Sequence, residues 1–236
     1  MKRKLYNILA LVLCLNIGIF SSSCASAGIR NAEKIKEVLP TADSYQIVEI
    51  GEFPQSSSNS GYIVEPLKWR VLENDGETML LVCDSVIAGL RYDGNSNDYA
   101  NSEVRQWLIN DFYATAFSSD EKERIISVEV DNSASSTGYD GNKFACENTN
   151  DKIFLLSHQQ ATNSKYFATE SSRKMAITDY AKAMGVTAQF GKCLWWLRSP
   201  SANYLGYSCL VKPNGEIGSY FIYTCGGVVP AMRVKV

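Results

Sequence analysis

Apolar and polar residues alternate along the first third of the chain in a pattern typical of an antiparallel sheet. Residues 45–53 and 67–72 alternate between apolar and polar positions, and residues 78–86 form an apolar run rich in strand-forming residues. Ser-, Asn- and Gly-rich segments separate the three, and residues 74–76 read Asn-Asp-Gly, a turn sequence. The pattern predicts three strands joined as an antiparallel meander.

The middle of the chain changes to helical spacing. Apolar residues recur every three or four positions from Val104 to Phe112, directly after Ser102, which can cap a helix. Further short helices are indicated by the capping pairs Ser118/Glu121 and Ser157/Gln160, and by a segment over residues 178–184 that ends at Gly185. Residues 131–150 contain few apolar side chains and are predicted to form a long surface loop.

Strand patterns return in the C-terminal part of the chain. The Asn214-Gly215 pair between two of the predicted strands is a strong hairpin signal. The sequence thus predicts one α+β domain over residues 45–236, with mixed antiparallel sheets and a few short helices. The remaining predicted strands are residues 128–130, 153–156, 195–198, 207–212, 216–223 and 228–236.

The N-terminus has the pattern of an export signal. A positive start, Met1-Lys2-Arg3-Lys4, precedes an apolar stretch over residues 8–20 that is short for a membrane span. Three serines then lead to Cys24, which resembles the lipidated cysteine of bacterial lipoproteins. We predict a signal peptide over residues 1–23, a tether over 24–44, and a lipid on Cys24 that anchors the exported protein to the cell envelope, at the outer-membrane surface. The alternative is secretion with cleavage near residues 25–27.

The net charge limits which partners are expected, and the number of cysteines limits how far disulfides can hold the fold together. The formal net charge of the 236-residue chain is -2, and removing the three positive residues of the signal takes it to -5 (-2 minus 3). No basic field is present to attract nucleic acid, so that partner is not expected. Of seven cysteines, Cys14 lies in the signal and Cys24 is the lipid site, which leaves an odd five. Disulfides therefore cannot be the main scaffold, and Cys83, in an apolar run, is predicted to be a buried hydrophobic residue.

Candidate chemistry is sparse. His158 is the single histidine, and no Gly-x-Ser-x-Gly sequence accompanies it, so no catalytic triad and no histidine-based zinc site are predicted. Its imidazole is expected to be solvated or locally hydrogen-bonded. Asp131, Asp140 and Asp151 are compatible with a structural cation or with an ordinary polar loop. Lys212 occupies the position at which the calcium-binding loop of a C-type lectin has a carboxylate, so calcium-dependent sugar binding is not predicted there. We predict no catalytic residue, no metal and no cofactor.

Several segments together resemble a known bacterial family. They are Gly51-Glu52-Phe53-Pro54-Gln55, Trp69-Arg70-Val71-Leu72, Val104-Arg105-Gln106-Trp107-Leu108, Phe154-Leu155-Leu156-Ser157, Trp195 to Pro200, and the final Gly-Val-x-Pro-Ala run. The family has a C-type-lectin-like fold, is related to formylglycine-generating enzymes, and includes the variable proteins of diversity-generating retroelements, among them exported treponemal lipoproteins. The resemblance covers residues 45–236, and departs from the family at Val229, where Arg is usual.

The resemblance implies a C-terminal region that varies and binds ligands. In such proteins, adenine-directed mutagenesis during reverse transcription rewrites C-terminal codons, which then encode residues such as Asn, Tyr, Ser, Asp, Gly and Cys. The expected ligand is an unidentified protein, with a glycan as the alternative. The ligand-binding residues expected here are Ser201, Asn203, Tyr204, Gly206, Tyr207, Ser208, Ser219, Tyr220, Phe221, Tyr223, Thr224 and Cys225.

Residue chemistry favours a binding face independently of the resemblance. Tyrosine supplies rigid contact area at low entropic cost, while Ser, Gly and Asn adapt their hydrogen bonds. The alternative is that the tyrosines are ordinary strand residues, some of them buried; we place Ile222 inward. Trp195 and Trp196 are interpreted as framework and Arg198 as a loop anchor.

Two other functions remain open. An oxidase of the formylglycine-generating type needs paired reactive thiols, for which Cys209 and Cys225 are the candidates by position. A fixed structural lipoprotein of the envelope needs no ligand face.

Overall fold

The computed structural model describes residues 45–188 and 191–236, and within them it confirms an α+β fold built from antiparallel sheets and short helices. The predicted signal peptide (1–23), tether (24–44) and lipid-bearing Cys24 lie outside the described residues. The strands are β1 (Ile47–Ser58), β2 (Gly61–Asn74), β3 (Thr78–Cys83), β4 (Ser85–Val86), β5 (Ala88–Leu90), β6 (Ile125–Ile126), β7 (Val128–Val130), β8 (Thr149–Asp151), β9 (Ile153–Phe154), β10 (Ala176–Ile177), β11 (Trp195–Pro200), β12 (Tyr207–Val211), β13 (Ile217–Phe221), β14 (Gly226–Val228) and β15 (Ala231–Lys235).

The helices are short and lie mainly between the two groups of strands in the sequence. A π-turn at Leu108–Phe112 joins the first two, so that residues 103–116 form one continuous helical segment. Single 3-10 turns occur at Tyr99–Asn101, Ser135–Thr137 and Ser171–Arg173. The helices are α1 (Glu103–Trp107), α2 (Tyr113–Ala116), α3 (Ser119–Arg124), α4 (His158–Thr162) and α5 (Asp179–Ala183).

The first sheet contains the predicted N-terminal meander. Its order is β1-β2-β3-β15-β6, all antiparallel, with β9 also paired to β15. The C-terminal strand β15 thus extends the meander by pairing with β3, with Met232 opposite Leu81. β1 and β2 are longer than predicted and continue as a paired ribbon to Ser58 and Gly61. Cross-strand backbone hydrogen bonds sustain this polar ribbon, although its composition indicated a loop.

The second sheet holds the C-terminal strands in the order β13-β12-β11-β14-β5. β11 and β14 are parallel, with Trp195 opposite Gly227, and the other neighbours are antiparallel. β11 is central and β13 is an edge strand. This order decides which residues of the C-terminal region are buried.

Local signals placed the helix starts correctly. Ser102 Oγ accepts a hydrogen bond from Arg105 N, and both predicted capping boxes, at Ser118 and Ser157, are present. Gly185 follows α5 with φ +101°, as expected of a helix-terminating glycine. In each of these contacts the two partners are only a few residues apart in the sequence, so the spacing of the residues is enough to predict the contact.

The segment 131–150 is mostly a long loop with many exposed residues, as predicted, but part of it is buried, which its polar composition did not indicate. Asn132, Ser136, Thr137 and Asn142 are buried. Asn142 Nδ2 donates to the carbonyl oxygen of Pro200 at 3.1 Å, so this segment packs against the end of β11. Its Asn and Ser side chains satisfy buried backbone groups, and a polar sequence can therefore be part of the interior.

Aromatic side chains fill much of the core. Trp69, Trp195 and Trp196 are completely buried, and Cys83 is buried among them as predicted. Burial raises the pKa of the Cys83 thiol to about 12. Over the described ranges, no helix has both the length and the apolar character needed to span a bilayer.

Candidate ligand-binding face

The central strand β11 provides a rigid base for the C-terminal region. All six of its residues are buried. Trp195 Nε1 donates to Arg173 O at 3.1 Å, and Trp196 Nε1 donates to Leu90 O at 3.0 Å. Both indoles are therefore packed and hydrogen-bonded, and the prediction that they belong to the framework is confirmed.

Arg198 anchors the loops beneath the face, as predicted. Its Nη1 donates to Leu155 O at 2.8 Å and to Gln160 Oε1 at 2.6 Å, and Nη2 donates to Asp131 O at 3.0 Å. The side chain is buried, and burial lowers the pKa of the guanidinium to about 10. The buried guanidinium of Arg198 thus joins β11 to the chain around Asp131 and to the chain at Leu155–Gln160, through uncharged oxygen acceptors.

The hairpin β12-β13 extends from this base. Its turn is closed by Lys212 N, which donates to Glu216 O at 2.8 Å, and Gly215 adopts φ +93° there. A Cβ atom at Gly215 would lie 1.9 Å from Glu170 O, and Arg173 Nε donates to Gly215 O at 2.7 Å. The predicted Asn-Gly hairpin is confirmed, and glycine is required at this position both for its backbone angle and for the close approach.

Five aromatic side chains of the C-terminal region form one connected surface, which we call the aromatic face. Tyr204 lies 5.1 Å from Tyr207, and Tyr207 lies 4.4 Å from Phe221, measured between ring centroids. Tyr220 and Tyr223 lie 5.5 and 5.2 Å from Phe221. Tyr204 and Tyr223 are each 62% exposed and Tyr220 is 46% exposed. The rings are thus displayed together, neither sealed in the core nor scattered.

The aromatic face is neutral and rich in hydroxyl groups. Partial desolvation, and then the neighbouring phenols of Tyr223, Tyr204 and Tyr220, raise the pKa of Tyr207. Its hydroxyl is therefore protonated at physiological pH and can donate or accept a hydrogen bond. The loop beneath is held by the buried Asn97, whose Nδ2 donates to Tyr204 O at 3.1 Å and to Tyr207 O at 2.8 Å. Asn97 was missed in the sequence because its partners lie more than a hundred residues away.

Ser201 and Ser208 were wrongly included among the ligand-contacting residues. Ser208 is completely buried, and its Oγ donates to Ser199 O at 3.1 Å. Ser201 is 4% exposed, and its backbone N–H donates to Tyr207 O. Ser208 follows the outward Tyr207 and therefore points inward by strand alternation. The same alternation buries Ile222 between Phe221 and Tyr223, as predicted.

The remaining candidates divide between the face and its surroundings. Asn203 is exposed and Gly206 is partly exposed in the loop that carries Tyr204, and Ser219 is exposed on β13. Thr224 is half-buried, and its N–H donates to Phe221 O at 3.0 Å. Cys225 is also half-buried but directs its thiol to Met184 O, beyond the end of α5. Its side chain therefore packs away from the five rings.

The cysteines among the described residues are free thiols, and their surroundings disfavour the ionised thiolate form. Burial raises the pKa of Cys209 to about 11 and also raises the pKa of Cys225. Cys193, whose pKa burial raises to about 12, is the thiol that interacts electrostatically with Cys225. No environment here stabilises a thiolate, the reactive form of cysteine.

His158 and the acidic candidates have structural environments. The imidazole is partly buried rather than solvated: Nδ1 has no hydrogen-bond partner in the described part of the chain, and burial lowers the pKa. Its Nδ1 lies 2.4 Å from the Cβ position that Gly138 leaves empty, so the glycine makes room for the ring. Asp151 pairs with Arg105 at 2.6 Å. Within residues 45–188 and 191–236, no three His, Cys, Asp or Glu side chains are grouped to hold a metal ion.

Comparison with known proteins adds a family but no activity. Residues 76–236 match a family described as a domain of unknown function, DUF6273. Neither a curated protein nor a solved structure matches the chain.

Proposed function

The chain belongs to the DUF6273 family, whose description gives no function, and we propose that it is a receptor or adhesin domain that binds a protein ligand through the aromatic face. The observation that carries the proposal is the connected, exposed set of tyrosines on the hairpin β12-β13, which pairs with the completely buried strand β11. Exposed tyrosines are disproportionately used in binding surfaces, since they bring apolar area and a hydroxyl with few rotatable bonds.

A protein ligand fits this face better than a small molecule. The rings form an exposed surface instead of lining a closed cleft, and within the described residues no group of His, Cys, Asp or Glu side chains that could hold a metal ion lies among them. Binding would then rest on shape and on hydrogen bonds from neutral phenols. A glycan that stacks on the rings is the second candidate ligand.

The finer assignment of the fold is part of the proposal. We infer a C-type-lectin-like fold of the formylglycine-generating type. Its support is the resemblance over residues 45–236, together with a C-terminal strand, β15, that pairs with β3 of the N-terminal sheet, and a long polar segment that is hydrogen-bonded into the interior.

Diversification by a retroelement is the mechanism proposed for varying the ligand. Side chains of the aromatic face contribute little to the core, so their replacement is compatible with folding. The test compares the C-terminal coding stretch with a near-identical template repeat near the gene. Differences should be confined to template adenines and should include the codons of Tyr204, Tyr220 and Tyr223, while the codons of the buried Ser201 and Ser208 should match the template. Absence of any template and reverse transcriptase would refute diversification but leave ligand binding to be tested directly.

Surface display through lipid on Cys24 is proposed with this function. Metabolic labelling with a fatty-acid analogue should label the protein and not a Cys24→Ala variant. Protease treatment of intact cells should then remove the domain. Protection from protease in intact cells would favour the fixed structural lipoprotein instead.

The oxidase alternative has a separate test. Cys209→Ser and Cys225→Ser should leave ligand binding intact if the domain is a receptor, whereas an oxidase of the formylglycine-generating type would lose activity with either change. The raised thiol pKa values of both residues favour the receptor.

A further inference from the structure

A second aromatic cluster lies far from the C-terminal hairpin in the sequence and surrounds an open groove. The groove has a volume of about 480 Å³; the half-buried rings of Trp107 and Tyr180 line it, backed by the buried rings of Phe53 and Phe112. Phe53 makes edge-to-face contacts with the other three rings, at centroid separations of 6.2, 5.2 and 5.7 Å. We call this site the aromatic groove.

The π-turn gives the groove its shape. Trp107 and Phe112 are five residues apart and stack at 5.5 Å with an interplanar angle of 20°. In a regular α-helix, side chains five residues apart point about 140° away from each other. The wider π-turn over Leu108–Phe112 brings both rings to one side, and such turns are frequent at functional sites.

The opposite wall is the ribbon of β1 and β2, fixed in place by α5. Pro54 and Val64 of the ribbon line the groove. Asp179 Oδ2, at the start of α5, accepts hydrogen bonds from Ser57 N and Ser57 Oγ, both at 3.1 Å. The groove is therefore bounded by elements with specific contacts of their own.

Polar groups at the groove are left without partners. Glu52 and Asp111 line it, and neither carboxylate has a hydrogen bond or ion pair within the described residues. The Trp107 indole N–H also has no acceptor there, although Trp69, Trp195 and Trp196 each donate to a carbonyl oxygen. Two exposed carboxylates without a counter-charge from the described residues thus stand beside the accessible rings of Trp107 and Tyr180.

We propose that the aromatic groove is a binding site for an organic cation of the alkylammonium class. Ring faces attract a cation through their quadrupole, and carboxylates attract it through charge. Aromatic walls also bury the alkyl groups of such a ligand. A neutral sugar would use the rings but would leave both carboxylates without a counter-charge, so it fits the groove less well. This site is independent of the function proposed for the aromatic face.

The test uses choline and its neutral isostere 3,3-dimethyl-1-butanol, which has the same shape without the charge. Each is titrated into the purified full-length protein while the Trp107 indole N–H resonance, assigned with Trp107→Phe, is followed by NMR. Choline should shift this resonance with saturation in the millimolar range, and the isostere should bind at least about tenfold more weakly.

Matched carboxylate variants identify the source of the selectivity. Glu52→Gln combined with Asp111→Asn should weaken choline binding about tenfold and leave the isostere unchanged. Glu49→Gln removes an exposed carboxylate of the same strand outside the groove and should change neither titration. Both variants alter exposed residues, so folding should be preserved, which circular dichroism checks.

Three results would overturn the proposal. They are equal binding of choline and its isostere, unchanged choline binding in the double variant, and no choline-dependent shift of Trp107 up to about 50 mM. A shift caused by methyl glucoside but not by choline would identify the groove as a sugar site instead.

Discussion

Strands β11 and β13 belong to one sheet and are separated by a single strand, yet they have opposite exposure. Every residue of Trp195–Pro200 is buried, whereas no residue of Ile217–Phe221 is. β11 lies between β12 and β14, and β13 has a neighbour on one side only. Position in the sheet thus separates a framework, where side chains determine stability, from a displayed hairpin, where they are available for binding.

The largest expected effect is the loss of a framework indole. Trp196→Ala removes a fully buried ring and its hydrogen bond to Leu90 O. It should lower the free energy of unfolding by about 3–5 kcal/mol, measured by urea denaturation. Tyr223→Ala, on the displayed hairpin, should change it by about 0.5 kcal/mol or less. Equal losses in the two variants would abolish the distinction between framework and face.

Arg198 tests whether the buried base depends on one polar anchor. Arg198→Met keeps much of the side-chain volume but leaves the oxygens of Asp131, Leu155 and Gln160 without their donor. The expected loss is about 3 kcal/mol in the same denaturation experiment. Arg91→Met, which breaks an exposed ion pair with Glu103, should cost much less than Arg198→Met, because solvent screens the exposed pair. A neutral Arg198→Met would show that the anchor is dispensable.

The hairpin turn isolates the effect of close packing from that of backbone conformation. Gly215→Ala and Gly76→Ala both place a side chain at positive φ, +93° and +88°. Only the first also places Cβ against Glu170 O, since Gly76 has open space around it. Both should lose about 1–2 kcal/mol from backbone strain, and Gly215→Ala should lose more. Thermal melting checks the difference, and equal costs would mean that the contact with Glu170 relaxes freely.

The half-buried imidazole of His158 should make the stability of the domain depend on pH. Burial, and then the charge of Arg173, lower the pKa of His158, so the unfolded chain binds the proton more readily than the folded chain. This stability is therefore fully present above about pH 6.5 and is lost as the pH falls through the lower folded pKa. His158→Gln should make the melting temperature less sensitive to pH between about 7 and 5. An unchanged pH profile would assign the sensitivity to other groups.

Local and long-range contacts explain what the sequence could and could not predict. The capping pair Ser157/Gln160 and the Asn214-Gly215 turn act over a few residues, and both were read correctly. The burial of Ser208 and Asn142 depends on strands and loops that meet only in the folded chain. Composition indicated a hairpin that does display tyrosines, but it could not distinguish the tyrosines that face solvent from the serines beneath them.

The π-turn and the aromatic groove were also beyond the sequence analysis. Trp107 fits the helical apolar pattern, and its pattern gave no sign of five-residue stacking with Phe112. In the sequence, Glu52 could be singled out only as part of the segment Gly51–Gln55, which resembles a known family. A search for apolar residues five apart within a helix would have been the one available signal.

A substitution scan of residues 195–227, with each variant scored for protease resistance of the folded domain, tests the central claim most directly. Tyr204, Tyr220, Tyr223 and Asn203 should accept most residues without loss of resistance. Trp196, Arg198, Ser208 and Ile222 should accept few. The account would be contradicted if the tyrosines of the aromatic face proved as intolerant as Trp196, because they would then hold the fold together instead of being displayed on it.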